Sequence, residues 1–209
     1  MKHLIIVGAG GMGREIFNFA EHCIGYGSEY DVKGFLDPDE HILDKFNGYP
    51  PVLGEENSYS IQKNDVFICS LGEMNLKAKV VNAIKDKGGM FITLIHETAI
   101  IQRNVIIGEG CFIQPFTVIG SDVTIGEQCM IQNHTDIGHD CMIGSFCCID
   151  CKVMLVGGIK VGNYVTIHSS AVINHKVTLC DHTTVGALSF VIRSVKEGQT
   201  VFGVPATVL

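Results

Sequence analysis

Aliphatic side chains recur every six residues over nearly half of the chain. The repeat begins at Ile101 and ends at Val191, and every position of this phase between them is Ile, Leu or Val. The residue directly after the aliphatic is often glycine, and the fourth residue after it is mostly small. A period of six fits neither the 3.6-residue turn of a helix nor the two-residue alternation of a strand. A fixed short period instead predicts a solenoid of stacked repeats.

The spacing is typical of a left-handed parallel β-helix made of hexapeptide repeats. Three hexads would close one triangular coil, with the aliphatic residue pointing inward and stacking on its equivalent in the next coil. The small residue would also point inward, near a corner where a large side chain would clash. Four cysteines fill this small position, where a thiol acts as a small hydrophobe: Cys111, Cys129, Cys141 and Cys147. Stability would be shared between adjacent coils.

The start of the chain carries a different pattern, typical of a Rossmann-like α/β domain. An apolar strand over residues 2–7 precedes the glycine loop Gly8-Ala9-Gly10-Gly11-Met12-Gly13, a complete G-x-G-x-x-G. Helical spacing follows over residues 14–24, and a second strand over residues 30–36 ends at Asp37. The glycines would let backbone N–H groups approach a phosphate at the helix N-terminus. A carboxylate after the second strand can accept a hydrogen bond from a ribose or base.

Further strands near residues 66–70 and 90–94, with a helix near 76–87, complete one mononucleotide-binding half. A dinucleotide site for NAD would need two such halves, and a glycine turn with no ligand is the plain alternative. We therefore expect a Rossmann-like nucleotide-sugar-binding domain over residues 1–95. A β-helix acyltransferase domain with a C-terminal tail is expected over residues 96–209.

Composition narrows the classes of partner and the compartment. The net charge of −7 argues against nucleic-acid binding, which needs a basic face. No apolar stretch approaches a membrane span, and the apolar start is too short for a signal sequence. The nine cysteines form no pair of C-x-x-C motifs at zinc spacing, so no metal is expected. Unpaired thiols in this number suit a reducing cytoplasm.

The segment Asn133-His134-Thr135-Asp136-Ile137-Gly138-His139-Asp140-Cys141-Met142-Ile143-Gly144 is the most specific motif of the chain. Together with Gly34-Phe35-Leu36-Asp37 and Gly203-Val204-Pro205-Ala206, it resembles the NeuD/PglD family of bacterial sugar O- and N-acyltransferases. The resemblance covers the whole chain. It implies acetyl-CoA as the donor and a UDP- or dTDP-linked amino-dideoxy sugar as the acceptor, for surface-glycan synthesis. It also implies a homotrimer with each active site between neighbouring subunits.

His139 is the expected general base. It lies outside the aliphatic interior of its hexad, near a turn, and an imidazole titrates near operating pH. Asp140 would orient the ring if it folds back onto it. The resemblance gives Asn133 a supporting polar role, although its phase, one hexad earlier, puts it on an adjacent face. Four other histidines also have non-interior phases and are interpreted as turn residues, with the first as the strongest rival base: His134, His168, His175 and His182.

The resemblance also implies the binding residues. For the acceptor these are Gly10, Gly11, Met12, Gly13, Asp37 and Gly72, and for CoA they are Cys148, Gly157, Ser169 and Ala187. Two positions depart from the family pattern. Cys148 stands where many members have a second histidine near the thioester, so that contact is altered or lost. Met12 stands where related N-acetyltransferases can carry a histidine, so acceptor recognition can differ there.

Three alternative functions remain open on the sequence. The first is O-acetylation of a sialic-acid-like sugar, since the glycine loop only leans towards a nucleotide-linked acceptor. The second is a non-catalytic trimer that binds a sugar nucleotide, which the cysteine at position 148 mildly favours. The third is an NAD-dependent enzyme that uses its β-helix for trimerisation alone. An intact pair of His139 and Asp140 favours direct acetyl transfer with a histidine base.

Overall fold

The computed structural model describes residues 1–209, which divide into two compact units, residues 1–96 and 97–209. The first unit alternates strands and helices. Its elements are β1 (Lys2–Val7), α1 (Gly11–Ala20), β2 (Tyr30–Leu36), β3 (Asp65–Cys69), α2 (Met74–Asp86), β4 (Met90–Phe91) and β5 (Leu94–Ile95).

A four-stranded parallel sheet in the order β2-β1-β3-β4 forms the centre of the first unit. Residues Leu4, Ile5 and Ile6 of the central strand are fully buried, as a parallel sheet covered on both faces requires. The sheet has four strands, fewer than the six of a two-half dinucleotide fold.

Both helices begin close to carboxyl ends of strands. α2 is capped by Glu73, whose carboxylate accepts hydrogen bonds from two backbone N–H groups of the first turn. α1 has the glycine Gly10 at its N-cap and no side-chain cap. It ends at Ala20, earlier than the helical spacing to Ile24 suggested. The chain leaves the helix because Cys23 bridges to His96 and the N–H of Ile24 donates to the carbonyl of Ile95.

The second unit consists of sixteen two-residue strands and a C-terminal hairpin. The two-residue strands are β6 (Ile100–Ile101), β7 (Ile106–Ile107), β8 (Phe112–Ile113), β9 (Val118–Ile119), β10 (Thr124–Ile125), β11 (Met130–Ile131), β12 (Asp136–Ile137), β13 (Met142–Ile143), β14 (Cys148–Ile149), β15 (Met154–Leu155), β16 (Lys160–Val161), β17 (Thr166–Ile167), β18 (Val172–Ile173), β19 (Thr178–Leu179), β20 (Thr184–Val185) and β21 (Phe190–Val191). The hairpin is β22 (Thr200–Gly203) with β23 (Ala206–Val208).

These strands form the three faces of a left-handed β-helix. Every third strand pairs in parallel with its equivalent 18 residues away, for example Asp136 with Met154. Face one contains β6, β9, β12, β15, β18 and β21, and face two contains β7, β10, β13, β16 and β19. Face three contains β8, β11, β14, β17 and β20, and continues into the hairpin.

Three rows of corners join the faces. The first corner links faces one and two and includes residues 138–140, the second links faces two and three and includes 144–146, and the third links faces three and one and includes 150–152. Equivalent corners recur 18 residues away. Most corners hold one residue at a φ near +60°, usually not glycine. Hydrogen bonds between stacked corners, such as the N–H of Asp140 to the carbonyl of Ser121, stabilise this conformation.

The interior follows the six-residue repeat. Fourteen of the sixteen aliphatic positions are buried, whereas Ile101 and Ile107 are only partly buried. These two lie in the first coil, which has no equivalent strand of faces one and two before it. The small residues also point inward: Cys129, Thr135 and Ala171 are fully buried. All nine cysteines are free thiols.

Candidate functional site

His139 and Asp140 form a hydrogen-bonded pair in the first corner. Gly138 ends the stretch of face one, and a side chain there would collide with the backbone carbonyl of Val156 in the next coil. Asp140 adopts the left-handed conformation, with a φ of 57°, which aspartate tolerates better than most residues. Its Oδ2 atom lies 2.6 Å from Nδ1 of His139. The carboxylate accepts, so the neutral ring carries its proton on Nδ1 and keeps a lone pair on Nε2.

Gly157, one coil further along the first corner, leaves the space that the His139 ring occupies. A Cβ atom on Gly157 would lie 3.3 Å from Nε2 and 3.5 Å from Cε1 of that ring. The neighbouring Gly158 donates its N–H to the carbonyl of His139 at 2.9 Å. The N–H of Gly157 makes no hydrogen bond within the chain. A free backbone donor therefore lies next to the lone pair of the imidazole.

The other residues expected at the site lie elsewhere on the prism. Asn133, Ser169 and Ala187 belong to the third corner, and Cys148 lies on face three. The backbone of Asn133 is held by Gln114 and by Lys152 of the adjacent coils. One chain thus brings together His139, Asp140 and Gly157 at one edge. It brings Asn133, Cys148, Ser169 and Ala187 together around another.

A second histidine–carboxylate pair lies at the third corner, where the sequence suggested only a turn residue. Nδ1 of His168 lies 2.9 Å from Oδ2 of Asp150. The other oxygen of Asp150 accepts from Gln132 at 3.0 Å and from the thiol of Cys148 at 3.3 Å. Residues 132, 150 and 168 occupy the same corner in three successive coils, 18 residues apart. The 18-residue period of the sequence is the signal that could have shown that these three side chains are neighbours.

Asp37 holds the glycine loop of the first unit in place. Its side-chain oxygens accept from the N–H of Ala9 at 2.8 Å and from the N–H of Asp39 at 3.0 Å. The residue is only 9% exposed. A carboxylate with two backbone donors fixes the distance between the loop and the end of β2. It keeps further lone pairs for a ligand.

The glycines of the loop have two different uses. A side chain at Gly13 would collide with the backbone of Gly8, so this glycine allows α1 to pack against β1. Side chains at Gly10, Gly11 and Gly72 would meet nothing within 4 Å. These three positions therefore border open space at the carboxyl ends of β1 and β3. Met12 lies partly buried in the first turn of α1.

A cavity of about 170 Å³ lies beside the loop, at the carboxyl ends of the strands. Its lining is mostly apolar, with Asp37 and Glu56 as the acidic residues. The hydroxyl of Ser70 donates to the carbonyls of Val7 at 2.8 Å and Gly8 at 3.0 Å, and so supports the start of the loop. Sequence reasoning missed Glu56 and Ser70, because neither belongs to the glycine motif.

A larger groove of about 400 Å³ runs along face two and contains Met142, Lys160 and Asp181, but neither His139 nor Gly157.

The chain holds no group of three or more His, Cys, Asp or Glu side chains that could bind a metal ion. Neither helix has the length and hydropathy needed to cross a membrane.

Comparison with known proteins gives matches over both units. Residues 3–84 match the family model of the PglD N-terminal domain, and residues 95–197 match that of the GMPPB C-terminal domain. The chain is similar to the acetyltransferase domain of PglB from Neisseria gonorrhoeae, with 25% identity, a TM-score of 0.87 and 100% of both chains covered. It is also similar to PerB from Caulobacter crescentus, crystallised with CoA and GDP-perosamine, with 25% identity and a TM-score of 0.89 over 100% of this chain and 98% of that one.

WeeI from Acinetobacter baumannii shares the fold over the full length of both chains, with 20% identity and a TM-score of 0.70. The expected fold class, a Rossmann-like domain followed by a left-handed β-helix, is confirmed by these full-length similarities.

Proposed function

Since the chain belongs to the PglD/NeuD-like sugar acetyltransferases, we propose that it transfers the acetyl group of acetyl-CoA to the amine of a nucleotide-linked amino sugar. The observation that carries the proposal is the pair of His139 and Asp140 beside the free N–H of Gly157. Two relatives of similar length support it, one an acetyltransferase domain and one bound to CoA and GDP-perosamine.

The chemistry follows from the atoms at the first corner. The sugar amine attacks the thioester carbon, a C–N bond forms, and the tetrahedral intermediate places negative charge on its oxygen. The N–H of Gly157 donates a hydrogen bond to that oxygen. Nε2 of His139 takes the proton that the amine loses, and Asp140 stabilises the resulting imidazolium. When the C–S bond breaks, the proton passes from His139 to the CoA thiolate.

The cofactor residues require a second copy of the chain in this proposal. Gly157 lies at the first corner, whereas Cys148, Ser169 and Ala187 lie around the third, on another edge of the prism. A site that uses both sets is complete only where the first corner of one copy meets the third corner of another. Repeating that contact around a closed ring gives the trimer.

Exposed apolar side chains on face one and at the first corner support such an assembly. Ile100, Met154 and Phe190 on face one are exposed, as are Val156 and Ile192 at the first corner. A row of exposed apolar residues of this kind is typical of a protein–protein contact.

The first unit binds the nucleotide in this proposal. Gly10, Gly11 and Gly72 border open space where backbone N–H groups can approach a diphosphate, and Asp37 accepts hydrogen bonds from ribose or base. The acceptor is a UDP-, dTDP- or GDP-linked amino sugar destined for a surface glycan. The reaction takes place in the cytoplasm, a reducing compartment that suits nine free thiols.

The test is release of CoA thiol from acetyl-CoA with a panel of UDP-, dTDP- and GDP-linked amino sugars. One amino sugar should give turnover, and His139→Ala should lower kcat by about 10²–10⁴-fold. His182→Ala is the matched control, because His182 is an exposed histidine of the second corner, which takes no part in the proposed site, and it should retain activity. Unchanged turnover in His139→Ala, or release of thiol with none of the amino sugars, contradicts the proposal.

A further inference from the structure

The His168–Asp150 pair has the geometry of a fixed hydrogen-bonding group. Nδ1 of His168 faces the carboxylate of Asp150 at 2.9 Å, so the proton of the neutral ring lies on Nδ1. Nε2 is left as an acceptor, and it makes no hydrogen bond within the chain. The side chain of His168 is 46% exposed, while that of Asp150 is 20% exposed. Nε2 of His168 is therefore available to a ligand from solvent, while Asp150, which holds the ring, is mostly covered.

The anchor itself is held by more than one contact. Oδ1 of Asp150 accepts from Nε2 of Gln132 at 3.0 Å and from the thiol of Cys148 at 3.3 Å. The side-chain oxygen Oε1 of Gln132 in turn accepts from the thiol of Cys151 at 3.0 Å. Linked corners also occur elsewhere on the prism, as between Asn163 and Asp181 at the second corner. The row at the third corner differs in that it ends on an imidazole, which it holds with the Nε2 atom directed away from Asp150.

The surroundings of His168 point to the cofactor. Ser169 is the next residue, Ala187 belongs to the same corner one coil further, and Cys148 touches Asp150. These are the three positions expected to contact CoA on this side of the site. His168 itself was not among the expected cofactor residues.

The distance between His168 and His139 along the prism axis determines which part of CoA His168 can contact. His168 follows His139 by 29 residues, or about 1.6 coils of 18 residues. Coils stack at the strand spacing of about 4.8 Å. If the copies are related by a rotation axis parallel to the prism, His168 of one copy lies roughly 8 Å further along the prism than His139 of its neighbour. In the proposed reaction the amine, the thioester carbon and the sulfur occupy the interval between the height of His139 and the height of His168. The group of CoA at the height of His168 is then the pantetheine amide, two methylenes from the sulfur.

We propose that Nε2 of His168 accepts a hydrogen bond from the first amide N–H of the pantetheine arm, with Asp150 fixing the ring. The bond would form across the contact between two copies, opposite the His139 that performs the transfer. This inference rests on the proposed function. It makes His168 a cofactor-binding residue and gives it no part in moving the reacting proton.

Titration of the assembled full-length chain with CoA by calorimetry tests the inference without an acceptor sugar. His168→Ala should raise the Kd for CoA about 3- to 10-fold, the effect of one hydrogen bond. It should raise the KM for acetyl-CoA by a similar factor and change kcat at saturating acetyl-CoA less than about twofold. His168→Gln, whose carbonyl can accept the same bond, should recover part of the affinity. His3→Ala is the matched control, because His3 also pairs with a carboxylate, that of Asp31 at 2.7 Å, but lies near the start of β1 in the first unit. This variant should bind CoA normally.

The outcomes separate the two proposals. If the unsubstituted chain does not bind CoA, the proposed function is wrong and the inference falls with it. If the unsubstituted chain binds and His168→Ala binds equally well, the inference alone is wrong. A fall in kcat with an unchanged KM would assign His168 to the reacting thioester and also overturn it. Loss of assembly of His168→Ala in sedimentation would overturn it by showing that the residue acts on the subunit contact.

Discussion

Nδ1 of His139 and Oδ2 of Asp140 lie 2.6 Å apart although the two residues are consecutive in the chain. Consecutive side chains of a strand point to opposite faces. The contact forms here because the corner gives Asp140 a φ of 57°, which turns the chain out of the strand conformation. One corner of the β-helix thereby brings together the proposed base and the carboxylate that orients its ring.

Replacement of Asp140 by Asn should lower kcat about tenfold, clearly less than removal of His139. The amide oxygen can still accept from Nδ1, but it no longer stabilises the imidazolium by charge. The two side chains are 64% and 65% exposed in the single chain, so water screens part of that charge. Steady-state kinetics with acetyl-CoA and the acceptor would measure the change.

Asp122→Asn is the control for this substitution. Asp122 has the same left-handed corner position one coil earlier, with a φ of 62°, and it accepts from Asn104 instead of a histidine. Its replacement should leave kcat unchanged. An Asp140→Asn enzyme as active as the unsubstituted one would mean that the carboxylate does not assist His139.

Replacement of Gly157 by Ala should impair catalysis by displacing the His139 ring. The added Cβ would lie 3.3 Å from Nε2, a closer approach than side chains normally make, so the ring must shift. A displacement of even part of an ångström at a reacting atom lowers kcat by about 10- to 100-fold. The thermal midpoint should also fall somewhat, because Gly157 has a φ of 158°, which a residue with a side chain rarely adopts. An unchanged kcat in the folded variant, measured well below its midpoint, would show that Gly157 does not border the reacting atoms.

Replacement of Asp37 by Asn should raise the KM for the nucleotide sugar about tenfold and leave the KM for acetyl-CoA unchanged. The carboxylate fixes the glycine loop through Ala9 and Asp39, and Asn keeps at most one accepting oxygen. Asp44→Asn serves as the control, since Asp44 pairs with His41 on the exposed surface of the same unit. If the KM for the nucleotide sugar and the KM for acetyl-CoA rose equally, the substitution would have damaged the whole protein, and the nucleotide site would not be specifically affected.

The fold was readable from the sequence because its period is imposed by packing. An aliphatic residue every six positions is needed to fill the prism, and every position of that phase from Ile113 to Val191 is buried. The end of α1 was less predictable. Its apolar spacing continues to Cys23, but a bridge from Cys23 to His96, 73 residues later, decides where the helix stops. Contacts between residues so distant leave no local signal.

The candidate site was only partly readable. The motif around His139 marks the expected base, and the structure adds that Asp140 reaches its ring. The His168–Asp150 pair was missed because each residue by itself has the phase of an ordinary corner. Only the comparison of positions 18 residues apart brings them together. Ser70 and Glu56 were missed for a similar reason. The pairing of β1 with β3 puts Ser70 beside the loop, and Glu56 reaches the cavity from the connection between β2 and β3.

Asp65 offers a test of stability that is separate from function. Its buried carboxylate accepts from Lys33 at 2.7 Å, from the hydroxyl of Tyr59 at 2.8 Å and from the N–H of Gln62 at 2.8 Å. Burial by itself would raise the pKa of Asp65, but the hydrogen bonds, first that from Lys33, outweigh it and hold the pKa below its ordinary value. Asp65→Asn should therefore lower the free energy of unfolding by about 1–3 kcal/mol at neutral pH.

The same pKa gives the pH dependence of this effect. Because the folded-state pKa of Asp65 is below the unfolded value, its contribution is complete above the unfolded pKa and is lost as the pH falls through the folded pKa. Urea unfolding at about pH 7 and about pH 3 should show the gap between the unsubstituted chain and Asp65→Asn narrowing in acid. Asp31→Asn, in a pair with His3 whose two side chains are each 40% exposed, should change stability by less than about 1 kcal/mol. A gap for Asp65→Asn that stayed constant with pH would show that the ionised carboxylate is not what stabilises the first unit.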